Sequence, residues 1–424
     1  MTALGLVEDV KRTMYRDGVE GRSEYPLDEK IGLLTINGNR SRYTQVFAWN
    51  AARLYAELTE EEAASTLHSL LGIEIDKAQV AKVGQAVAEK YDKTVDTCAA
   101  NMHTGIENLE DAAEETECQP CENVAAVGFI AEKLKELDAD PDRDKIIQAT
   151  MEGNLDGAEG AKPAQVVVYY SSDGTGVPGL RRELSDKGKN GGKAGTFEAK
   201  IGCAFQQGFT ANNKPVLTGG NIVRIPETTK YTGTTDKIGG FSPQFAEFAL
   251  QNGMLSASQV VFLSDGATWL RKMQMRLCPT AISIVDFYHA TEHLDDVIKI
   301  LRFHNQSKRK EFADTCHKLL ECGDIGQLIS LIRGKANKSN KEKVDKKLAY
   351  FEHNVDRMRY GLFRAAGLFI GSGVIEAACK TIVGKRLKNA GMHWSKDNAK
   401  GVISLRCAIC SNEFEVPRAK SLVG

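Results

Sequence analysis

No stretch of this 424-residue chain approaches the ~20 consecutive apolar residues needed to cross a bilayer. The opening residues, MTALGLVEDVKRTMYRDG, carry acids and have no apolar centre, so they do not read as a secretory signal. Cysteine is sparse as well: there are ten, none before Cys98. A disulfide scaffold is thereby excluded and a reducing, cytoplasmic setting is expected. Net charge is nearly absent at −1. That balance hides a division, because residues 101–163 hold 16 acids against 5 basic residues, whereas residues 268–424 hold 28 basic residues against 16 acids. A chain split this way suits a polyanionic partner for its C-terminal half, although solvated helix faces would produce part of the same asymmetry.

Length predicts two or three domains. Residues 1–95 read as a helical N-terminal region. Within it Thr59 and Glu62 form a capping box ahead of EEEAASTLHSLLG, Gly72 closes that helix, and Asp76 can cap KAQVAKVGQAVAEKY. Two helices joined by five residues are compatible with a helix-turn-helix over about 58–92, with Lys77, Gln79, Lys82 and Gln85 toward DNA; an ordinary helical hairpin is the alternative. Residues 96–163 read as an acidic, partly helical linker. From 164 to 303 the pattern alternates. QVVVYYSSDG, TFEAKIGCAFQQ and KPVLTGGNIVRI read as strands and SPQFAEFALQNG as a helix. QVVFLSDG then reads as a strand, ATWLRKMQMRLC as a helix and TAISIVDFYH as a strand. This is an α/β domain with a mixed sheet. Residues 304–362 read as a basic helical insertion. Residues 363–424 return to the core with a helix over 371–389, capped by Ser372, and another over 399–413.

Three acids stand out. Asp173 in VVVYYSSDGTGVP and Asp265 in VVFLSDGATWL each sit where an apolar strand meets a glycine turn, and Glu376 in GSGVIEAACKTIVGKRLK sits on a helix flanked by lysines. An RNase H-like sheet of order 3-2-1-4-5 places its first and fourth strands side by side and parallel. Asp173 and Asp265 would then end those two strands at the switch in strand order, where open α/β sheets bind ligands. Three carboxylates there would hold Mg²⁺ or Mn²⁺, and two ions can serve both the attacking and the leaving oxygen of a phosphodiester. A turn is the ordinary reading of a lone Asp-Gly. Two of them at matching strand ends, plus a helical glutamate that is the only acid between Asp356 and Asp397, favour the site.

Asp286 competes with Asp265, but its strand would be the fifth, so Asp286 and His289 are expected to support the fold or position DNA. His289 and His293, four apart, offer a zinc pair without a recognisable third ligand. The spacing of Cys98, His103, Cys118 and Cys121 could make a structural Zn²⁺ site, and Cys407 with Cys410 read as core thiols. Lys380, Lys385, Arg386, Lys388 and His393 would track a phosphate backbone, while Trp394 would either stack on an unpaired base or pack in the core.

From about residue 165 onward the chain resembles the DDE insertion-sequence transposases of the bacterial Kra group, relatives of the Mutator-type transposases. The matching segments are DGTGVP, GTFEAKIGCAFQ, LSDGATWL, VDFYHATEHL, RMRYGLFRAAGLFIGSGVIEAACKTIVGKRLKNAGMHWS and SLRC; PLDEKIGL at Pro26–Leu33 is also similar to a family segment. The resemblance implies that Asp173, Asp265 and Glu376 are the catalytic, metal-binding triad and that Asp286–His289 is the acid-x-x-histidine signature following the second Asp. It implies metal-dependent cleavage and strand transfer at terminal inverted repeats, joining to target DNA, a homodimer or larger assembly on DNA, and a nucleoid-associated location. A non-catalytic DNA-binding regulator and an RNase H-like nuclease are the alternatives.

Overall fold

The computed structural model describes residues 39–71, 73–100, 128–181, 184 and 195–415, with short strand pieces at 15–16, 23–24 and 33–36. Among these residues no helix is long and apolar enough to cross a membrane. The protein is mixed α/β and is organised around a five-stranded mixed sheet.

Three helices lead in. α1 (Gln45–Glu57) is capped by Thr44, whose hydroxyl accepts from Phe47 N at 3.3 Å. α2 (Glu60–Leu71) opens on the capping box legible in the sequence: Thr59 N donates to Glu62 Oε2 at 3.0 Å, and Glu62 N to Thr59 Oγ1 at 3.3 Å. α3 (Lys77–Ala100) starts with Asp76 Oδ1 accepting from Gln79 N at 2.9 Å. Small residues line the α1–α3 contact, and a Cβ on Gly84 would lie 2.4 Å from the Tyr55 ring. α4 (Phe129–Ala139) and α5 (Arg143–Met151) follow. Ile130, Leu134 and Ile147 are buried with sheet residues Val167, Tyr169 and Ile284, so this part of the expected acidic linker is packed into the core.

The sheet begins with β1 (Gln165–Pro178) and β2 (Thr196–Phe209), paired antiparallel through all 14 residues of each. Alternation along β1 sends Val168 and Tyr170 to one face and Val167 and Tyr169 to the other. β1 does not break into a turn at Asp173-Gly174, as its sequence suggested. Asp173 pairs with Ile201 and Gly174 with Lys200, and the ribbon runs on to Pro178. A Cβ on Gly174 would meet only the exposed tip of Glu198, so the pairing with β2 sets the backbone here.

The third strand also differs from expectation. KPVLTGGNIVRI supplies only Val216–Thr218 and Asn221–Ile222, which join Ala158–Glu159 in a separate small sheet. Gly219 and Gly220, at φ 58° and 74°, turn the chain back before a long strand can form. The sheet strand is β3 (Lys230–Thr234), antiparallel to β2. α6 (Ile238–Gln251) leads to β4 (Gln259–Ser264), and α7 (Thr268–Leu277) leads to β5 (Ile282–Val285). β4 lies parallel to β1 and to β5, giving the order β3-β2-β1-β4-β5. Phe241, Phe245, Leu270 and Met273 from α6 and α7 cover the Val168/Tyr170 face.

The other face is shared. α8 (Phe287–Ile300) is followed by α9 (Gln306–Cys322), α10 (Ile325–Lys335) and α11 (Lys341–Glu352), the basic insertion. Their buried stripe, including Leu320, Leu328, Ile332, Leu348 and Phe351, joins Val167, Tyr169 and Ile284. α12 (Tyr360–Ala365) precedes α13 (Gly373–Ala378). α13 opens the helix expected over 371–389, which is continuous from 373 to 387. It runs into a π turn over Cys379–Gly384 and a last turn over Lys385–Leu387, and the Ser372 side chain makes no cap bond. α14 (Lys396–Cys410) closes the core, capped by Ser395.

N-terminal and C-terminal helices share one apolar cluster: Phe47, Val80, Val83 and Val87 pack with Val177, Ile201, Ile382, Leu387 and Val402. Two arginines fasten it. Arg386, fully buried, donates to Tyr55 O and to Glu60 Oε1, both at 2.9 Å, with its guanidinium 5.2 Å from the Tyr55 ring centroid and 4.8 Å from that of Trp394. Arg406 donates to Ala56 O and Ile382 O at 2.7 Å. Arg386→Met should therefore lower unfolding stability by about 1–2 kcal/mol, chiefly because the buried Tyr55 carbonyl loses its donor, whereas Glu60 is a third exposed and can be solvated. Urea denaturation is the measurement.

Candidate functional site

Registered residues of β1 and β4 stand 92 apart, Leu263 opposite Ser171, which is the interval between Asp265 and Asp173. Extending the pairing two residues past Leu263 brings Asp265 level with Asp173. Paired residues of neighbouring strands point to the same side. Asp173 alternates with Tyr169 and Val177, so it occupies the face covered by the insertion and C-terminal helices, between their two apolar clusters. Gly266 turns the chain after Asp265 at φ 95°, and Asp265 Oδ1 accepts from Ala267 N at 2.8 Å.

Burial pushes the Asp173 carboxyl above its ordinary pKa. The Gly174 amide, 2.7 Å away, pulls it down, the Asp265 charge raises it, and His289 and the Cys379 thiol pull it down more weakly. The raising influences win, so this carboxylate pair lacks full compensation within the protein. Such a pair fits a hard divalent cation, which Mg²⁺ sites commonly hold through one or two carboxylates with water and phosphate completing the shell.

The third acid is not gathered in. Among the described residues no group of three or more His, Cys, Asp or Glu is placed to hold a metal ion. Glu376 stands on α13 with its side chain 39% exposed and 3.8 Å from Lys380 Nζ. The helix is nonetheless fastened across the site. Cys379 Sγ donates to Asp173 Oδ2 at 3.7 Å, and Lys388 Nζ donates to Thr175 Oγ1 at 2.7 Å. Cys379 did not stand out in the sequence; its one signal was its position three residues beyond Glu376, on the neighbouring part of the same helical surface.

Asp286 is fully buried and engages backbone donors with both oxygens: Oδ1 accepts from His289 N at 2.7 Å, and Oδ2 accepts from Ser372 N. Its own amide donates to Ser264 O at 2.7 Å. It thus caps α8 and ties the end of β5 to the end of β4 and to the start of α13. The His289 ring lies 3.7 Å from Glu292, and the His293 ring stacks on Tyr350 with centroids 3.8 Å apart, so the two histidines are engaged separately.

Of the expected phosphate-tracking residues, Lys380, Lys385, Lys388 and His393 are exposed. Arg386 is not, because its charge is used inside against Glu60. Trp394 takes the core alternative: it is buried and its Nε1 donates to Leu387 O at 3.1 Å. In the candidate helix-turn-helix Lys77 and Lys82 are exposed, Gln79 accepts from the Tyr43 hydroxyl at 3.3 Å, and Gln85 is half-buried beside Tyr55. The helix that would read DNA is thus largely committed to the core, where Ala88 crowds Gly401 of α14. The grouping of Cys98, His103, Cys118 and Cys121 falls on side chains outside the described residues.

No protein-family model matches the chain, and no curated protein matches it.

A raised folded-state pKa at Asp173 has a stability consequence. Its stabilising contribution is greatest below the ordinary carboxylate pKa and is lost as pH rises through the elevated folded value, so the ionised group is a burden at neutral pH. Asp173→Asn should raise Tm at pH 7.5 without divalent ions. The advantage should vanish by about pH 4, the ordinary carboxylate range. Calorimetry at the two pH values checks both parts.

Proposed function

We propose that this chain is a DNA transposase of an insertion sequence, with an RNase H-like catalytic core that cleaves and joins strands at the ends of its element. The observation that carries this reading is the parallel β1–β4 register, whose 92-residue offset, extended two residues past Leu263, sets Asp265 level with Asp173 at the switch in strand order. The continuation of α13 lies against β1 at Asp173, with Cys379 on its carboxylate and Lys388 on the nearby Thr175.

In this reading Asp173 and Asp265 would hold the divalent cation and, through it, orient the scissile phosphate. A bound Mg²⁺ or Mn²⁺ supplies charge neutralisation and an activated oxygen. Glu376 completes the acidic triad by leaving Lys380, a contact between exposed groups that contributes little. Asp286 keeps the β4 and β5 ends and the start of α13 in one frame, and His289 stays beside Asp173. Lys380, Lys385, Lys388 and His393, with the basic insertion, track the DNA backbone. Water attacks the phosphodiester at the element end, and the freed 3′-hydroxyl then attacks target DNA, displacing one of its strand oxygens; no protein-linked intermediate is needed. Terminal inverted repeats are the first partner and target DNA the second. Joining two ends calls for a homodimer or larger assembly on DNA.

The test uses oligonucleotides built from the DNA bracketing the gene, with Mg²⁺ or Mn²⁺. Cleavage followed by strand-transfer products is expected. Cleavage without joining would assign a nuclease, and binding alone a non-catalytic regulator. Asp173→Asn, Asp265→Asn and Glu376→Gln should each abolish cleavage and leave binding within about twofold, since none removes a lysine or arginine that tracks the DNA backbone. Full activity in Asp265→Asn together with loss in Asp286→Asn would transfer the second ligand to Asp286.

A separate expectation concerns salt. Replacing Lys380, Lys385 and Lys388 by Gln should lower the slope of log affinity against log salt by about one for each phosphate that is no longer neutralised. Arg386→Met should leave that slope unchanged. Fluorescence anisotropy across a salt series reads both.

A further inference from the structure

Among the described residues, Arg357 is a buried cation without a bonded carboxylate. It is 5% exposed, and its hydrogen bonds go to three neutral side-chain oxygens. Burial depresses its pKa to about 10, Arg271 pushes it the same way, and Asp265 is the carboxylate that acts on it most in the opposite sense. A guanidinium in such a place disfavours folding relative to an apolar side chain of similar size. Its hydrogen-bond partners suggest what it does there.

Nε donates to Ser283 Oγ at 2.9 Å, within β5, and Nη2 donates to Ser264 Oγ, on the last residue of β4. One rigid, planar group therefore spans the two strands immediately before Asp265. Nη1 donates to Asn354 Oδ1 at 2.8 Å; Asn354 Nδ2 donates to Tyr350 O at 2.7 Å; and the Tyr350 hydroxyl donates to Asp265 O at 3.0 Å. The chain of contacts closes on itself through the Ser264–Asp265 peptide. Tyr350 also fills the space over the turn, because a Cβ on Gly266 would lie 2.8 Å from its ring. No bond of this ring reaches the Asp265 carboxylate, whose Oδ1 accepts instead from Ala267 N within the turn.

We propose that Arg357, with Tyr350, is a positioning residue that holds the backbone at Asp265 so that its carboxylate stays level with that of Asp173. The helical insertion thereby gains a defined role, since α11 and the turn after it set the height of the fourth strand's end. This inference rests on the carboxylate pair being the functional site, and it deepens that reading.

The experiment compares the full-length wild type with Arg357→Met and Tyr350→Phe, using Mn²⁺ alone as the binding probe and nicking of plasmid DNA as the activity probe. The sign of the Mn²⁺ result is decisive. By charge alone, deleting a cation near Asp265 should tighten Mn²⁺ binding. Lost positioning should weaken it instead, by about tenfold in Arg357→Met, with a comparable fall in nicking kcat and an unchanged KM for DNA. Tyr350→Phe, which removes one hydroxyl and keeps the ring, should weaken Mn²⁺ binding about threefold. The double variant should be no worse than Arg357→Met, because the two residues belong to one closed ring.

Unchanged or tighter Mn²⁺ binding in both single variants overturns the proposal, as do losses that simply add. If Arg357→Met fails to fold, Tyr350→Phe alone decides. Mn²⁺ binding that weakens as expected in a protein that never nicks DNA would uphold the positioning role and remove the transposase reading. Nicking by the wild type with full activity in both variants would do the reverse. A wild type that neither binds Mn²⁺ nor nicks overturns both.

Discussion

The parallel pairing of β1 with β4 is the constraint on which the site depends. Its register offset equals the separation of Asp173 and Asp265, so the pairing directs two carboxylates remote in the chain toward one another. A slip of one residue would send Asp265 to the opposite face of the sheet. The apolar pattern resists such a slip: Val261 and Leu263 share one buried cluster with Val167 and Tyr169, while Val260 and Phe262 share the other with Val168 and Tyr170. Both faces of both strands are filled, so the same packing that stabilises the core sets the geometry of the acids.

Around that pair the protein uses buried polar groups as fasteners. Asp286 gathers the ends of β4 and β5 and the start of α13. Arg357 repeats the theme from beneath, and Arg386 and Arg406 extend it to α1. Each sits where several segment ends must meet, and each offers more directional contacts than an apolar side chain can. Breaking such a group costs more than its net contribution, because its partners are left desolvated. The consequence for the N-terminal helices is considerable. They share a core with the end of the sheet and with α14, which leaves Lys77 and Lys82 as the exposed members of the expected DNA-reading set.

Much of this could be read in advance where the cause is local. The Thr59/Glu62 box and the Asp76 cap depend on residues three apart and appear as expected. β4, whose strand run is continuous and apolar, also appears. The failures share a different cause. KPVLTGGNIVRI looks more strand-like than KYTGT, yet the latter fills the sheet edge, because Thr232 and Thr234 are buried there by α6 and α14. Asp173-Gly174 resembles a turn, but fourteen cross-strand pairs with β2 hold it extended. Arg386 and Trp394 read as a basic, aromatic surface because sequence spacing does not reveal that Glu60 and Tyr55 approach from over three hundred residues away.

Residue type and local spacing by themselves determined the α/β class, the caps at Thr59 and Asp76, the basic insertion and the identity of the acids worth watching. These are consequences of short-range sterics, hydrogen bonding and apolar periodicity, all of which act within a few residues. Only the tertiary structure decided which charges stay at the surface and which are used inside, and which strand forms the sheet edge. It also brought Asp173 beside Asp265 while leaving Glu376 against Lys380. Such outcomes depend on desolvation and on contacts between distant segments, and the energy of a charge is set by neighbours that the linear order of residues does not reveal.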